Sequence, residues 1–148
     1  MKHLFLLLSL LLIGGVSLSA EPTPTRVDEF PKDQMQSQNT TIARMFVEEI
    51  AKNLPHKIDN YTEFVKIHNE GSNIIYTFEI KTGAKSDESV RKEDRSRMYR
   101  AVKNGICQSS MKFLEANINI SYIYISASSK KDLFRFDITQ KDCVKMAN

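Results

Sequence analysis

Two segments in which apolar and polar residues alternate constrain the fold of this chain most. A period of two is typical of strands that pack one face against a core. The first segment covers residues 61–81 and is divided by an Asn-Glu-Gly-Ser turn at residues 69–72. The second covers residues 117–139 and is divided by a polar turn at residues 126–131. Each segment therefore predicts an antiparallel hairpin.

Helical spacing appears in the parts of the chain between these hairpins. Residues 41–54 repeat apolar side chains every three or four positions, which predicts a helix that ends before Pro55. Residues 90–104 and 108–116 have weaker helical stripes, and Gly105 stands where it could terminate the first of them. We therefore expect a two-layer α+β fold in the order α-β-β-α-β-β. In this fold, helices cover one face of an antiparallel four-stranded sheet.

The N-terminus has the composition of a secretory signal peptide. Lys2 and His3 are followed by the apolar run Leu4–Val16, and small residues lead to a cleavage point after Ser19 or Ala20. Because a membrane-spanning helix needs roughly 20 apolar residues, we expect cleavage and not anchoring. No cysteine stands near the cleavage point, so the sequence shows no lipidation signal.

These patterns divide the chain into three parts. We expect a signal peptide at residues 1–20, a flexible linker at residues 21–41 and a single α+β domain at residues 42–148. The linker holds three prolines among polar residues and has too few apolar residues to offset the entropy lost on ordering. The whole chain is 41% hydrophobic and 26% charged, as is usual for a soluble domain of this length. The expected location is the periplasm or the cell exterior.

The chain has two cysteines, Cys107 and Cys143. An even number in an exported protein favours a disulfide, with two buried thiols as the alternative. A metal site is disfavoured because His56 and His68 show no ligand spacing with either cysteine. A nucleophilic cysteine paired with one of these histidines would require Cys107 to be free.

No sequence motif indicates catalysis. The chain lacks a glycine-rich phosphate loop, and the acidic residues between positions 87 and 94 stand beside basic neighbours, as on a solvated helix face. Residues 91–103 carry six basic and two acidic side chains, so this face could approach a phosphate or a membrane surface. Export disfavours nucleic acid as a partner. We expect no enzyme activity, no cofactor, no metal and no small-molecule substrate.

The strands also place apolar residues on their second face, which should be more polar if it were free. Ile75, Ile123 and Ile125 are predicted to share that face and to form a patch for a protein partner. Cover by the N-terminal arm or the C-terminal tail is the alternative. The strand aromatics, in contrast, are expected mostly in the core under the helices.

Several short runs over residues 42–143 resemble type II secretion pilotins of the AspS and YghG kind. The shared features are a helix that ends in Asn-Leu-Pro, a Tyr-Thr strand opening, a cysteine before a short helix, a strand with Ile-Asn followed by Tyr or Ile, and a closing cysteine. In this chain they are Asn53-Leu54-Pro55, Tyr61-Thr62, Cys107, Ile118-Asn119-Ile120 and Cys143.

The resemblance implies a small periplasmic protein with one structural disulfide between the matched cysteines. It implies further that a hydrophobic groove takes a helical segment of a secretin and helps the secretin to assemble. Such pilotins are usually lipoproteins, and this chain departs from them in having no lipoprotein cysteine. We therefore predict a non-enzymatic, pilotin-like binding protein that assists a secretin or another envelope secretion complex. The alternative is a secreted effector or inhibitor that binds another protein.

Overall fold

The computed structural model describes residues 31–144, in which a five-stranded sheet carries helices on one face. The expected signal peptide, the first part of the expected linker and the last four residues lie outside the described residues. The strands are β1 (His56–Lys57), β2 (Thr62–Glu70), β3 (Asn73–Ile80), β4 (Ile120–Ser126) and β5 (Asp132–Ile138). The helices are α1 (Lys32–Ala51), α2 (Asp87–Lys92), α3 (Ser96–Ser109), α4 (Met111–Glu115) and α5 (Gln140–Val144).

Both predicted hairpins are present, but the sheet that they form is mixed. Strands β2 and β3 pair antiparallel, as do β4 and β5. The two hairpins meet through β3 and β4, which run parallel with Tyr76 opposite Tyr122 and Phe78 opposite Tyr124. The expectation of a wholly antiparallel sheet is therefore wrong. Parallel neighbours require a crossover, and α2, α3 and α4 supply it.

The expectation of four strands is also wrong, because the two-residue strand β1 adds a fifth at the edge. His56 pairs with Phe64 and Lys57 pairs with Glu63. A strand of two exposed residues has no alternating pattern, which is why the sequence did not indicate it. The expected order α-β-β-α-β-β likewise omitted the short terminal helix α5.

Helix α1 begins at Lys32, whereas the sequence predicts a start at residue 41. The added turns contain Asp, Ser, Asn and two Thr residues, which are weak helix formers without tertiary support. Asn39 supplies that support, because it is buried and donates a side-chain hydrogen bond to the carbonyl of Ala116. Residues 32–41, which the sequence places in the linker, thus lie in the helix.

Gly105 does not end its helix, contrary to the expectation. Helix α3 continues to Ser109, and the extra turn buries Ile106 and Cys107 against the sheet. A side chain at position 105 would project into open space, so no close packing requires the glycine. The gain from burying two apolar side chains exceeds the cost of about 1 kcal/mol for a glycine inside a helix.

The core forms on the one sheet face that the helices cover. Helix α1 contributes Ala43 and Val47, which pack on Ile67 and Ile74 near one edge. Helix α3 packs near the other edge. Its partners there are Ile120 and Ile138 at one end, and Phe78, Tyr124 and Phe136 at the other. None of the helices described between residues 31 and 144 is long and apolar enough to cross a membrane.

A disulfide between Cys107 and Cys143 ties α3 to α5. Both cysteines are buried in the cluster that holds Ile106, Leu114 and Ile120. The bond closes a loop over a sequence separation of 36 residues, and this loop contains both β4 and β5. The bridge therefore restrains the unfolded chain over the whole second hairpin.

We expect the double variant Cys107→Ala/Cys143→Ala to lose about 3–4 kcal/mol in free energy of unfolding, because loop closure no longer restricts the unfolded state. Urea unfolding of the two proteins measures the difference. Reductant should destabilise the parent protein and leave the variant unaffected. Equal stability of parent and variant in oxidising buffer would contradict this expectation.

Candidate partner-binding groove

The centre of the helix-bearing sheet face is left open between α1 and α3. Near β4's start the two helices are bridged by α4, whose Phe113 packs edge-on against Phe46 of α1 with 5.0 Å between ring centroids. Toward the opposite end of the strands the helices are not bridged in this way. A cavity of about 470 Å³ lies there over the middle strands. We call it the aromatic groove.

Five aromatic rings form the floor of the aromatic groove. Neighbouring rings lie close enough to pack on one another: the centroids of Phe78 and Tyr122 are 4.9 Å apart, and those of Tyr76 and Tyr122 are 5.0 Å apart. Phe64 and Tyr124 extend the layer on either side of Phe78, at 5.1 and 5.2 Å. The parallel register of β3 and β4 places these rings side by side.

The floor is apolar and partly accessible to solvent. Phe78 and Tyr124 are nearly buried, at 8% and 5% exposure, whereas Phe64, Tyr76 and Tyr122 are half-buried. A concave and mostly apolar surface of this kind is a candidate binding site.

Two apolar side chains stand at the lips of the groove. Met98 of α3 forms one lip, and Ile58, in the loop before β2, forms the other with 52% of its surface exposed. The Ile58 loop is held by Asp59, whose carboxylate accepts backbone N–H groups of Tyr61 and Thr62, each at 2.7 Å. These hydrogen bonds lower the pKa of Asp59. The loop is thus fixed, and the Ile58 side chain stays partly exposed at the edge of the groove.

The groove also contains three phenol hydroxyls, those of Tyr76, Tyr122 and Tyr124. A phenol is protonated at neutral pH, and burial raises the pKa of each of these three further. Within residues 31–144 none of the three takes part in a side-chain hydrogen bond, whereas the hydroxyl of Tyr99 on α3 donates to Asp142 at 3.5 Å. They are therefore available as donors to a bound chain.

The groove residues supply surface for binding and no evident reacting group. The lining holds one carboxylate, Asp59, and no histidine, lysine or cysteine among the described residues. Cys107 is in the disulfide and has no thiol to serve as a nucleophile. Among residues 31–144 no three histidine, cysteine or acidic side chains are placed to hold a metal ion. The arrangement fits the binding of an apolar chain segment.

The three isoleucines predicted to form a partner patch lie on the other face of the sheet. Ile75 is fully buried, and Ile123 and Ile125 are half-buried. Beside them, the Ser121 hydroxyl donates to Asp137 and Arg135 donates to the Ser121 oxygen, which makes this part of the face polar. The structure thus places the three residues together on one face, and their role in binding stays a prediction.

Sequence reasoning missed the groove because it assigned the strand aromatics mostly to a covered core. A signal was present, since tyrosine recurs at Tyr76, Tyr122 and Tyr124 on a face otherwise made of isoleucine and phenylalanine. A buried tyrosine needs a partner for its hydroxyl. Three tyrosines on adjacent central strands therefore indicate a face that is partly exposed to water or covered by a partner.

Comparison with known proteins places the chain in a family. Residues 37–134 match the model of a domain of unknown function, DUF8479, and the chain belongs to this family. Comparison with curated protein sequences finds no match.

Three solved structures share the fold at low sequence identity. A candidate secreted protein of Pseudomonas aeruginosa aligns with a TM-score of 0.66 at 11% identity, over 74% of this chain and 96% of that one. The pilotin EpsS of the Vibrio vulnificus type 2 secretion system aligns with a TM-score of 0.62 at 9% identity, over 75% of this chain and 96% of that one. The type II secretion system pilotin AspS of Vibrio cholerae aligns with a TM-score of 0.59 at 10% identity, over 76% of this chain and 98% of that one. The chain thus has a pilotin-like fold, which confirms the resemblance seen in the sequence.

We expect the groove tyrosines to make the fold sensitive to alkali. The pKa of these tyrosines is about 10 in the unfolded chain and higher in the folded protein. The stability that they contribute is therefore fully present below their unfolded-state pKa and is lost as the pH rises through their folded-state pKa. Urea unfolding at a series of alkaline pH values measures the free energy of unfolding. We expect it to fall with rising pH in the parent protein, and to fall less steeply in the double variant Tyr76→Phe/Tyr122→Phe. Parallel pH profiles for the two proteins would refute this assignment.

Proposed function

We propose that this protein is a non-enzymatic binding protein of the bacterial envelope that takes a helical segment of a secretion component, such as a secretin, into the aromatic groove. The open aromatic floor between Met98 of α3 and the loop at Ile58 carries this proposal. The fold shared with two type II secretion pilotins supports it. The site of action is the periplasm, reached with the cleaved signal peptide proposed for residues 1–20.

The chemistry of the groove floor suits a helix better than a strand. A strand would need the backbone groups of a sheet edge, whereas the floor presents ring faces and hydroxyls. An amphipathic helix presents side chains from successive turns along one stripe. That stripe can pack on Phe64, Phe78 and Tyr122 while the polar face remains in water. We infer that one helix is held between the lips at Ile58 and Met98.

A further part of the proposal concerns how the protein reaches its client. Lipoprotein pilotins travel on an acyl anchor, and this chain has no cysteine at the expected cleavage point. The protein would therefore act as a soluble chaperone-like partner that meets its client in the periplasm.

A secreted effector or inhibitor is the second candidate, and the fold shared with a candidate secreted protein favours it. Cell fractionation separates the two. Protein recovered from the periplasm supports the envelope role, and protein found in the medium of intact cells supports the effector role.

We expect a charged residue in the groove to abolish binding of the client. Met98→Glu and Ile58→Asp place a carboxylate at each lip, which an apolar helix face cannot pair. Both positions are partly exposed, so the variants should fold. Affinity purification of each protein from envelope extracts, followed by mass spectrometry, measures recovery of the secretin.

The matched control is Ile123→Asp, which adds the same charge on the opposite face of the sheet. The proposal expects the secretin to be recovered with the parent and with Ile123→Asp, and to be lost with the groove variants. Loss with Ile123→Asp and retention with the groove variants would assign binding to the predicted isoleucine patch instead.

A further inference from the structure

The floor of the aromatic groove carries hydrogen-bond donors that the described part of the chain does not use. The hydroxyls of Tyr76, Tyr122 and Tyr124 line the groove, and no side-chain hydrogen bond joins them to a residue between positions 31 and 144. Among the described residues, the one buried side-chain nitrogen or oxygen atom without a partner is Nδ1 of His68. Each phenol oxygen of the floor therefore reaches water in the open groove.

The three hydroxyls belong to one part of the floor, with Tyr122 in the middle. Tyr76 stands opposite Tyr122 in the parallel register, and Tyr124 follows Tyr122 by two positions on β4, so all three side chains lie on the same sheet face. Burial raises the pKa of Tyr76 and Tyr124, and the proximity of Tyr122 raises it further. Both neighbouring phenols are thus close to that of Tyr122.

The other polar residues that line the groove are Asp59 and Thr62. The Asp59 carboxylate accepts the backbone N–H groups of Tyr61 and Thr62, each at 2.7 Å. No side-chain hydrogen bond joins Asp59 or Thr62 to a groove tyrosine within the described residues. When the groove is filled, acceptors for the phenol hydroxyls must therefore come from the occupant.

A helix that covers the floor removes water from these hydroxyls. A hydroxyl that loses water and gains no partner weakens the complex, whereas a hydroxyl that gains an acceptor does not. An aliphatic stripe has no acceptor, and the backbone carbonyls in the interior of a helix are already bonded to the N–H groups of the next turn. The acceptor must therefore be a side chain on the stripe that faces the floor.

A neutral acceptor suits this groove better than a carboxylate. The lining contains no lysine, arginine or histidine among the described residues, so a carboxylate over the floor would be desolvated without a cation beside it. The side-chain amide of glutamine or asparagine has an acceptor oxygen and no net charge. Its N–H groups can in turn donate to a phenol oxygen, because a phenol both donates and accepts.

We propose that the helix held in the aromatic groove has one glutamine or asparagine within its apolar stripe, and that the hydroxyls grouped around Tyr122 donate to the amide oxygen of this side chain. This proposal rests on the proposed function and specifies the chemistry of the partner at the same site. The apolar stripe supplies most of the affinity. The amide fixes the register of the helix, because a shift by one turn would separate it from the hydroxyls.

Three matched synthetic peptides test the proposal with the purified protein. Each is a helical 18-residue peptide, about 27 Å long, with a leucine stripe and one tryptophan near its end. The central position of the stripe is leucine, glutamine or glutamate. Because the protein has no tryptophan, the fluorescence of the peptide tryptophan reports binding to every variant.

We expect the parent protein to bind the glutamine peptide about fivefold more tightly than the leucine peptide, and the glutamate peptide most weakly. In Tyr76→Phe/Tyr122→Phe/Tyr124→Phe the leucine peptide should bind more tightly than the glutamine peptide, because no hydroxyl remains to be satisfied. Tyr122→Phe alone should reduce the preference for glutamine.

The matched control is Tyr61→Phe, which makes the same chemical change at a tyrosine that is 69% exposed and does not line the groove. This variant should prefer the glutamine peptide as the parent does. Circular dichroism verifies that all variants fold.

The failures of the two proposals are distinguishable. If the leucine peptide binds the parent more tightly than the glutamine peptide, or if the triple variant keeps the preference for glutamine, the amide acceptor is wrong while the helix-binding groove stands. If the glutamate peptide binds best, the neutral acceptor is likewise wrong. If none of the peptides binds, the groove does not take a helix, and both proposals are overturned.

Discussion

The parallel pairing of β3 with β4 is the constraint on which the rest of this structure depends. It joins two hairpins that are each local in sequence, and it can form only if the intervening chain crosses over the sheet. That crossover is made of α2, α3 and α4, so these three helices lie on one face of the sheet. The same pairing brings the tyrosines of β3 and β4 into register. The groove floor is therefore a consequence of strand direction.

Covering such a sheet with helices leaves its centre open. Helix α1 is anchored near one edge by Ala43 and Val47, and α3 is anchored near the other by Ile106 and the disulfide at Cys107. Phe113 of α4 fills the space between them at one end only. Aromatic rings suit the remaining gap because they are large, rigid and tolerant of partial exposure. The fold thus builds a binding surface from the part of the sheet that its own helices do not cover.

Local features of the fold could be predicted from the sequence, and long-range features could not. The alternation in β2 and β3, and again in β4 and β5, predicted both hairpins, because side-chain period depends only on the local strand. The direction of β4 relative to β3 depends on how the residues between the two strands pack. The local spacing of apolar side chains does not contain that information. Strand β1, with two exposed residues, has no pattern to detect, and the first turns of α1 form through a contact of Asn39 with distant Ala116.

The candidate site shows the same division. Tyr76, Phe78, Tyr122 and Tyr124 could be placed on one sheet face from sequence, but whether a helix covers them is a property of the tertiary structure. Apolar residues on the second face suggested Ile75, Ile123 and Ile125 instead, and the structure makes Ile75 fully buried. Residues adjacent in sequence thus lie on surfaces with different environments.

That adjacency permits the most direct test of the central claim. A photo-crosslinking amino acid is placed in living cells at position 122, which faces the groove, and in a second strain at position 123, which faces away from it. The account predicts crosslinks from position 122, and not from position 123, to a helical segment of an envelope secretion component. Crosslinks to that component from position 123 alone would contradict it.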